Sequence, residues 1–262
     1  MPFISSRGIS IHYEIEGDPK APPLMLHHGW TSDIESWRDF GYVGALEDRF
    51  RLIMIDARGH GLSDVPNNAD DYAPDVFVAD VEAVLNAVGI ESVTFWGYSM
   101  GAAIGFQLAV NAPDKIDRFI AGGMHPYGNS ADDYDAHGPR PTKATLELQA
   151  GGMEGFIEAR ERDLGGRLVP KLRNRLLTFS ASGLAFAGEA WAGWDGVRDH
   201  LGDIKAQTLL YAGTGDTAFH DGAKHAADEM PNARFVSIPG MSHDAGFASS
   251  RKTLKTISNF LG

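Results

Sequence analysis

The run Gly97-Tyr98-Ser99-Met100-Gly101 sets a serine between two glycines, directly after the short apolar segment 92–96 and directly before a helix-compatible segment, 102–111. A strand-to-helix turn this tight strains its central residue and projects the hydroxyl clear of the sheet, while the glycines let strand and helix approach closely. A serine hydroxyl is a weak nucleophile at neutral pH and needs a neighbouring base, usually histidine. Among ten histidines, His243 follows apolar segment 234–238 and the turn Pro239-Gly240, in a loop from which it can meet Ser99 at the carboxyl edge of a sheet. Asp216, beyond segment 208–212 and Gly213-Thr214-Gly215, is the first choice to orient the imidazole. Asp221, a few residues on, and Asp244, beside the histidine but expected to point away, are the alternatives. The chemistry implied is nucleophilic acyl transfer, with activity falling as His243 is protonated.

Acyl transfer also needs donors for the developing oxyanion, commonly two backbone amides. Met100 supplies one by position, and Trp30 is the candidate for the other, because His28-Gly29-Trp30 follows segment 23–27. The Trp30 side chain reads either as a wall of the acyl site or as a packed hydrophobe. Met124 and His125, after segment 117–122, and Trp191 and Trp194 further on are candidate substrate contacts, with ordinary packing as the other reading. His220 and His225 stand five apart and His27 and His28 are adjacent; neither pair makes a convincing metal face, so no metal or other cofactor is expected.

These residues must be positioned by the elements between them. Segments 23–27, 51–55, 92–96, 117–122, 208–212 and 234–238 are short apolar runs bounded by turn residues, as buried parallel strands are. Residues 3–5 and 9–15, joined at Arg7-Gly8, predict an antiparallel edge. Helical periodicity marks 75–88, with Val78, Val81, Leu85 and Val88 on one stripe, and also 102–111 and 249–261. Strand-helix alternation predicts an α/β protein with a doubly wound, mostly parallel sheet. The rhythm breaks over 126–194, which opens on a Gly/Asn/Asp/Pro-rich stretch and then shows helical patterns near 145–149, 155–163 and 170–179. That segment is expected to be an inserted helical cap between core segments 1–125 and 195–262, with Gly151-Gly152 and Gly165-Gly166 permitting it to open. Lys171, Arg173 and Arg175 are expected on a solvated helix face.

A net charge of −12 gives no electrostatic case for nucleic acid or anionic membranes as partners. The absence of cysteine removes disulfides, a thiol nucleophile and cysteine-ligated zinc. No apolar stretch approaches the length needed to span a bilayer, and the N-terminus lacks a secretory pattern, so a cytoplasmic protein is expected. The oligomeric state is left open.

From the His28-Gly29 loop through the Ser99 turn to His243, the chain resembles the α/β-hydrolase superfamily over nearly its whole length. Asp56-Ala57-Arg58-Gly59-His60-Gly61-Leu62-Ser63 resembles a segment that in this superfamily follows strand four and is mainly structural. The resemblance is greatest to the branch of small esterases, enol-lactonases and cofactor-free perhydrolases. Dehalogenases and epoxide hydrolases of that fold use an aspartate where this chain has Ser99. The resemblance implies hydrolysis of small, or even polymeric, carboxylic esters or lactones through an acyl-enzyme. Carbon-carbon hydrolysis, perhydrolysis and a non-catalytic small-ligand sensor are the alternatives.

Overall fold

A computed structural model of the chain describes residues 2–128 and 142–262. Eight strands form one sheet in the order β1-β2-β4-β3-β5-β6-β7-β8. They are β1 Phe3–Ser6, β2 Ile9–Glu16, β3 Pro23–His27, β4 Arg51–Ile55, β5 Val93–Tyr98, β6 Ile116–Gly122, β7 Gln207–Gly213 and β8 Ala233–Ile238. β1 with β2 and β2 with β4 are antiparallel, and all later pairings are parallel. The parallel strands are nearly continuous apolar runs because helices cover both faces.

The helices of the core are α1 Ile34–Asp39, α2 Tyr42–Leu46, α3 Pro74–Ala87 and α4 Met100–Asn111. Between β6 and β7 come α5 Lys143–Leu164, α6 Pro170–Leu176 and α7 Ala181–Ala192; α8 His220–Glu229, α9 His243–Ala248 and α10 Ser250–Leu261 complete the chain. One apolar layer packs α3, α4 and α8 on the sheet, and a second packs α1, α2, α9 and α10 on the opposite face. A third cluster, built on Leu148, Phe156, Ile157, Leu176 and Leu184, belongs to the inserted helices and has Trp30 packed against it.

Close approach at the centre of the sheet depends on two glycines. A Cβ on Gly97 would collide with the Gly101 carbonyl, and one on Gly101 with the His27 and His28 carbonyls. Only bare backbone lets α4 start this near β3 and β5.

The inserted region departs from expectation in three ways. The patterns near 145–149 and 155–163 are one run, α5, bent at Gly152, where φ is 60° and ψ is −157°. A further helix, α7, capped by the Ser180 hydroxyl, precedes the two tryptophans. Of the basic cluster of α6, Lys171 is solvated as expected although it pairs with Asp39 at 2.6 Å, Arg173 is part-exposed beside Glu161, and Arg175 departs from expectation by turning inward to pair with Asp39 and Asp33. The Gly/Asn/Asp/Pro-rich opening stretch lies largely outside the described residues. Departure and return meet at a neck, where the Val197 amide donates to the Pro126 carbonyl at 2.7 Å and Gly196 packs against Gly128.

Candidate active site

Ser99 follows β5 directly and has φ 53° and ψ −120°, a region that a non-glycine residue occupies only under constraint, at a cost of about 1–3 kcal/mol. The constraint is local: the Ser99 amide donates to the Gly122 carbonyl at 2.8 Å, while the Ser99 carbonyl accepts from the Ala102 and Ala103 amides of α4. The side chain is thereby lifted off the sheet, 3.0 Å from Nε2 of His243. On the other side of that ring, Nδ1 lies 2.8 Å from Oδ2 of Asp216. An ionised carboxylate only accepts, so Nδ1 carries the proton and donates to it, and Nε2 is left to accept from the Ser99 hydroxyl.

The imidazole is held on several sides, and the His243 side chain keeps 31% of its surface exposed. His243 is not in a loop, as the sequence suggested, but is the first residue of α9, which the Ser242 side chain caps. The Tyr98 hydroxyl donates to the His243 carbonyl at 2.6 Å, and the rings of Tyr98 and Phe219 lie 5.3 and 5.0 Å from the imidazole. Burial, and then the nearby Asp216 charge, push the Tyr98 phenol well above its usual range, so it stays a donor. Asp216 is 2% exposed, and its carbonyl accepts from the amides of Phe219 and His220, which fixes the turn after β7. The two alternative aspartates are engaged elsewhere: Asp221 with His220 at 2.7 Å, Asp244 with Arg160 at 2.6 Å.

The loop after β3 runs directly past Ser99: a Cβ on Gly29 would stand 3.1 Å from the serine Cβ. His28, fully buried, accepts from the Ala57 amide at Nε2, 3.0 Å, which leaves Nδ1–H to donate to the Gly29 carbonyl at 2.8 Å. That carbonyl and the Trp30 N–H belong to one planar trans peptide and point in opposite directions. Fixing the carbonyl toward His28 therefore turns the Trp30 N–H away from it. The Met100 N–H is one of the unpaired donors at the start of α4.

The Trp30 indole donates to the Leu184 carbonyl at 2.9 Å and lies edge-on to Phe156, so its side chain ties the core to α7 and α5. Met124 is buried, and Trp194 is held by a hydrogen bond from its indole to the Tyr72 carbonyl at 3.1 Å and by edge contact with Phe77. His125 is bound to the Tyr127 carbonyl and packs on Phe219, and burial lowers its pKa. These three and Trp191 line a cavity of about 20 Å³, room for about one water rather than an acyl chain. A larger hollow, about 390 Å³, lies between α5 and α7 among Leu148, Gly152, Ala185 and Phe186. The sequence reading missed it because α7 was not anticipated, and it missed Tyr98 and Phe219, whose ring contacts leave no spacing signal.

Among the described residues no group of three or more histidine, cysteine, aspartate or glutamate side chains could hold a metal ion. No helix among them is long and apolar enough to cross a membrane.

A family model described as the alpha/beta hydrolase fold matches residues 22–200. The crystal structure of the enol-lactonase from Burkholderia xenovorans LB400 is similar at a TM-score of 0.82 and 24% identity, over 99% of each chain. The 3-oxoadipate enol-lactonase 2 of Acinetobacter baylyi is 28% identical over 215 residues, 81% of this chain and 78% of that one. Epoxide hydrolase 4 of Mus musculus is 29% identical over 117 residues, 45% of this chain and 32% of that one.

Proposed function

Because the chain belongs to the alpha/beta hydrolase fold family, we propose that it hydrolyses small carboxylic esters or lactones through an acyl-enzyme on Ser99. The observation carrying this reading is the continuous hydrogen-bonded line from Ser99 Oγ through His243 to Asp216, 3.0 and 2.8 Å, at the carboxyl edge of the sheet. In this mechanism His243 takes the hydroxyl proton as Oγ bonds to the carbonyl carbon, and Asp216 stabilises the resulting imidazolium. The negative oxygen rests on the N–H groups of Trp30 and Met100. His243 returns its proton to the departing alkoxide; water, activated by the same imidazole, then releases the acid. No step calls for a cofactor.

Ser99 stands where the superfamily's epoxide hydrolases use an aspartate, which favours acyl transfer over epoxide opening. The region 126–194 acts in this proposal as a cap over the mouth, and the core is formed by 1–125 and 195–262. The test is hydrolysis of p-nitrophenyl esters of graded acyl length and of a lactone panel, beside Ser99→Ala. We expect turnover that the variant loses by a factor on the order of 10,000 or more. Undiminished activity in Ser99→Ala, or none in the folded wild-type protein, would overturn the reading, the second outcome favouring a ligand-binding protein.

A further inference from the structure

Three strands away from β5, a second serine, histidine and aspartate stand in line. His220, the first residue of α8, has Nδ1 2.7 Å from Oδ1 of Asp221 and Nε2 2.9 Å from Oγ of Ser237 on β8. Its ring is steadied edge-on against Phe235, with centroids 5.2 Å apart, and its side chain is 19% exposed. As at His243, the carboxylate only accepts, so Nδ1 donates to Asp221 and Nε2 accepts the Ser237 O–H.

The backbone adds a second element of such a site. β8 is the last strand of the sheet. The carbonyls of Asn232 and Ile238 accept from the Thr208 and Thr214 amides, so even-numbered residues of β8 turn their backbone groups toward β7. With a period of two, the N–H of Ser237 faces the open edge. A serine's own amide is one of the donors that can hold an oxyanion formed on its side chain.

We infer that Ser237, His220 and Asp221 form a second nucleophilic site, open to solvent, that accepts acyl or phosphonyl groups from small activated esters and fluorophosphonates. In the acyl step, Ser237 Oγ bonds to the carbonyl carbon and its proton passes to His220 Nε2. The bond to the leaving alkoxide then breaks with its electron pair, and the alkoxide takes the proton from His220. With a fluorophosphonate the bond formed is Oγ to phosphorus and fluoride departs with the pair. The Asp221 side chain is 98% exposed, so water screens its charge. The site is therefore slower than Ser99 and selects for good leaving groups. Ser237 itself is exposed at the sheet edge, so the site takes small reagents without preference for acyl length.

This inference does not depend on the role given to Ser99, and its test uses protein without that serine. Full-length Ser99→Ala is treated with an alkyl fluorophosphonate and the adducts are mapped by peptide mass over time. The expected result is an adduct on Ser237 that forms faster than on the exposed Ser258. It should slow at least about tenfold when His220→Gln is added, since glutamine cannot take the proton. No adduct on Ser237, a rate no higher than that at Ser258, or an unchanged rate with His220→Gln would overturn it. The comparison with Ser258 is made within one protein, so it holds even if the double variant folds poorly. Absence of a Ser99 adduct in the wild-type protein would count against the main site alone.

Discussion

Residues outside the line from Ser99 to Asp216 set the geometry around it. His28 is the clearest case: one imidazole accepts from Ala57 and donates to the Gly29 carbonyl, and so orients the peptide that carries the Trp30 N–H. His28→Leu should lower kcat about 100-fold with KM little changed, the scale of losing one oxyanion donor. His28→Asn, whose amide nitrogen can still reach the Gly29 carbonyl, should retain most of the rate. Steady-state kinetics on a p-nitrophenyl ester separates the two, and equal losses in both variants would show that only packing had been disturbed. The Ser99, His243 and Asp216 positions were legible because each follows a strand at a turn whose glycines mark it. The surroundings of His28, Tyr98 and Phe219 were not, because Ala57 lies 29 residues from His28 and the ring contacts on His243 join β5, the turn before α8 and α9.

Elements differ in how plainly the sequence announces them. The six parallel strands were visible as apolar runs within one or two residues of their observed ends, since strands covered on both faces have little polar face to confuse the pattern, and the antiparallel pair β1 and β2 was visible from its turn at Arg7-Gly8. α1, α2 and α9 are 6, 5 and 6 residues long, too short to show a helical period. α8 buries only Ala223, Ala226 and Ala227, and α7 is rich in alanine and glycine on all sides, so neither shows a large apolar stripe. Arg175 of α6 looked solvated because its acidic partners, Asp33 and Asp39, stand at the two ends of α1, far earlier in the chain. Arg175, with 15% of its side chain exposed, bridges Asp33 and Asp39, and Asp33 caps the helix that begins just beyond Trp30. Arg175→Gln should cost about 1.5–3 kcal/mol, the usual range for hydrogen bonds to charged groups. It should lower Tm and speed limited proteolysis within 142–194; proteolysis at the wild-type rate would show that α6 is held by its apolar contacts alone.

At the scale of the whole molecule, acid should act through buried histidines rather than through the surface. Burial, and then the neighbouring His28, lower the pKa of both His27 and His60 from 6.5 to about 3, and Nε2 of His60 has no hydrogen-bond partner among the described residues. Between those values the unfolded chain binds protons at these positions that the folded protein refuses. Their contribution to stability is thus complete above pH 6.5 and is lost as the pH falls toward about 3. Each fully developed difference steepens the loss by about 1.4 kcal/mol per pH unit. Urea unfolding at pH 7, 6, 5 and 4 should show that decline, and His60→Asn, which cannot ionise, should flatten it; parallel curves for the two proteins would refute the assignment.

The neck at Pro126 and Val197 has a bearing on how such a chain diversifies. Where a segment's two ends already touch, its length hardly matters to the rest: by the logarithmic law of loop closure, shortening about 70 residues to about 5 changes the closure term by only about 2 kcal/mol. Both ends are tethered to each other by one hydrogen bond of 2.7 Å, while Ser99, His243 and Asp216 lie outside the stretch between them. On the proposed reading, recombination at this point would exchange the region between the two ends as a cassette and leave the groups proposed to react unaltered.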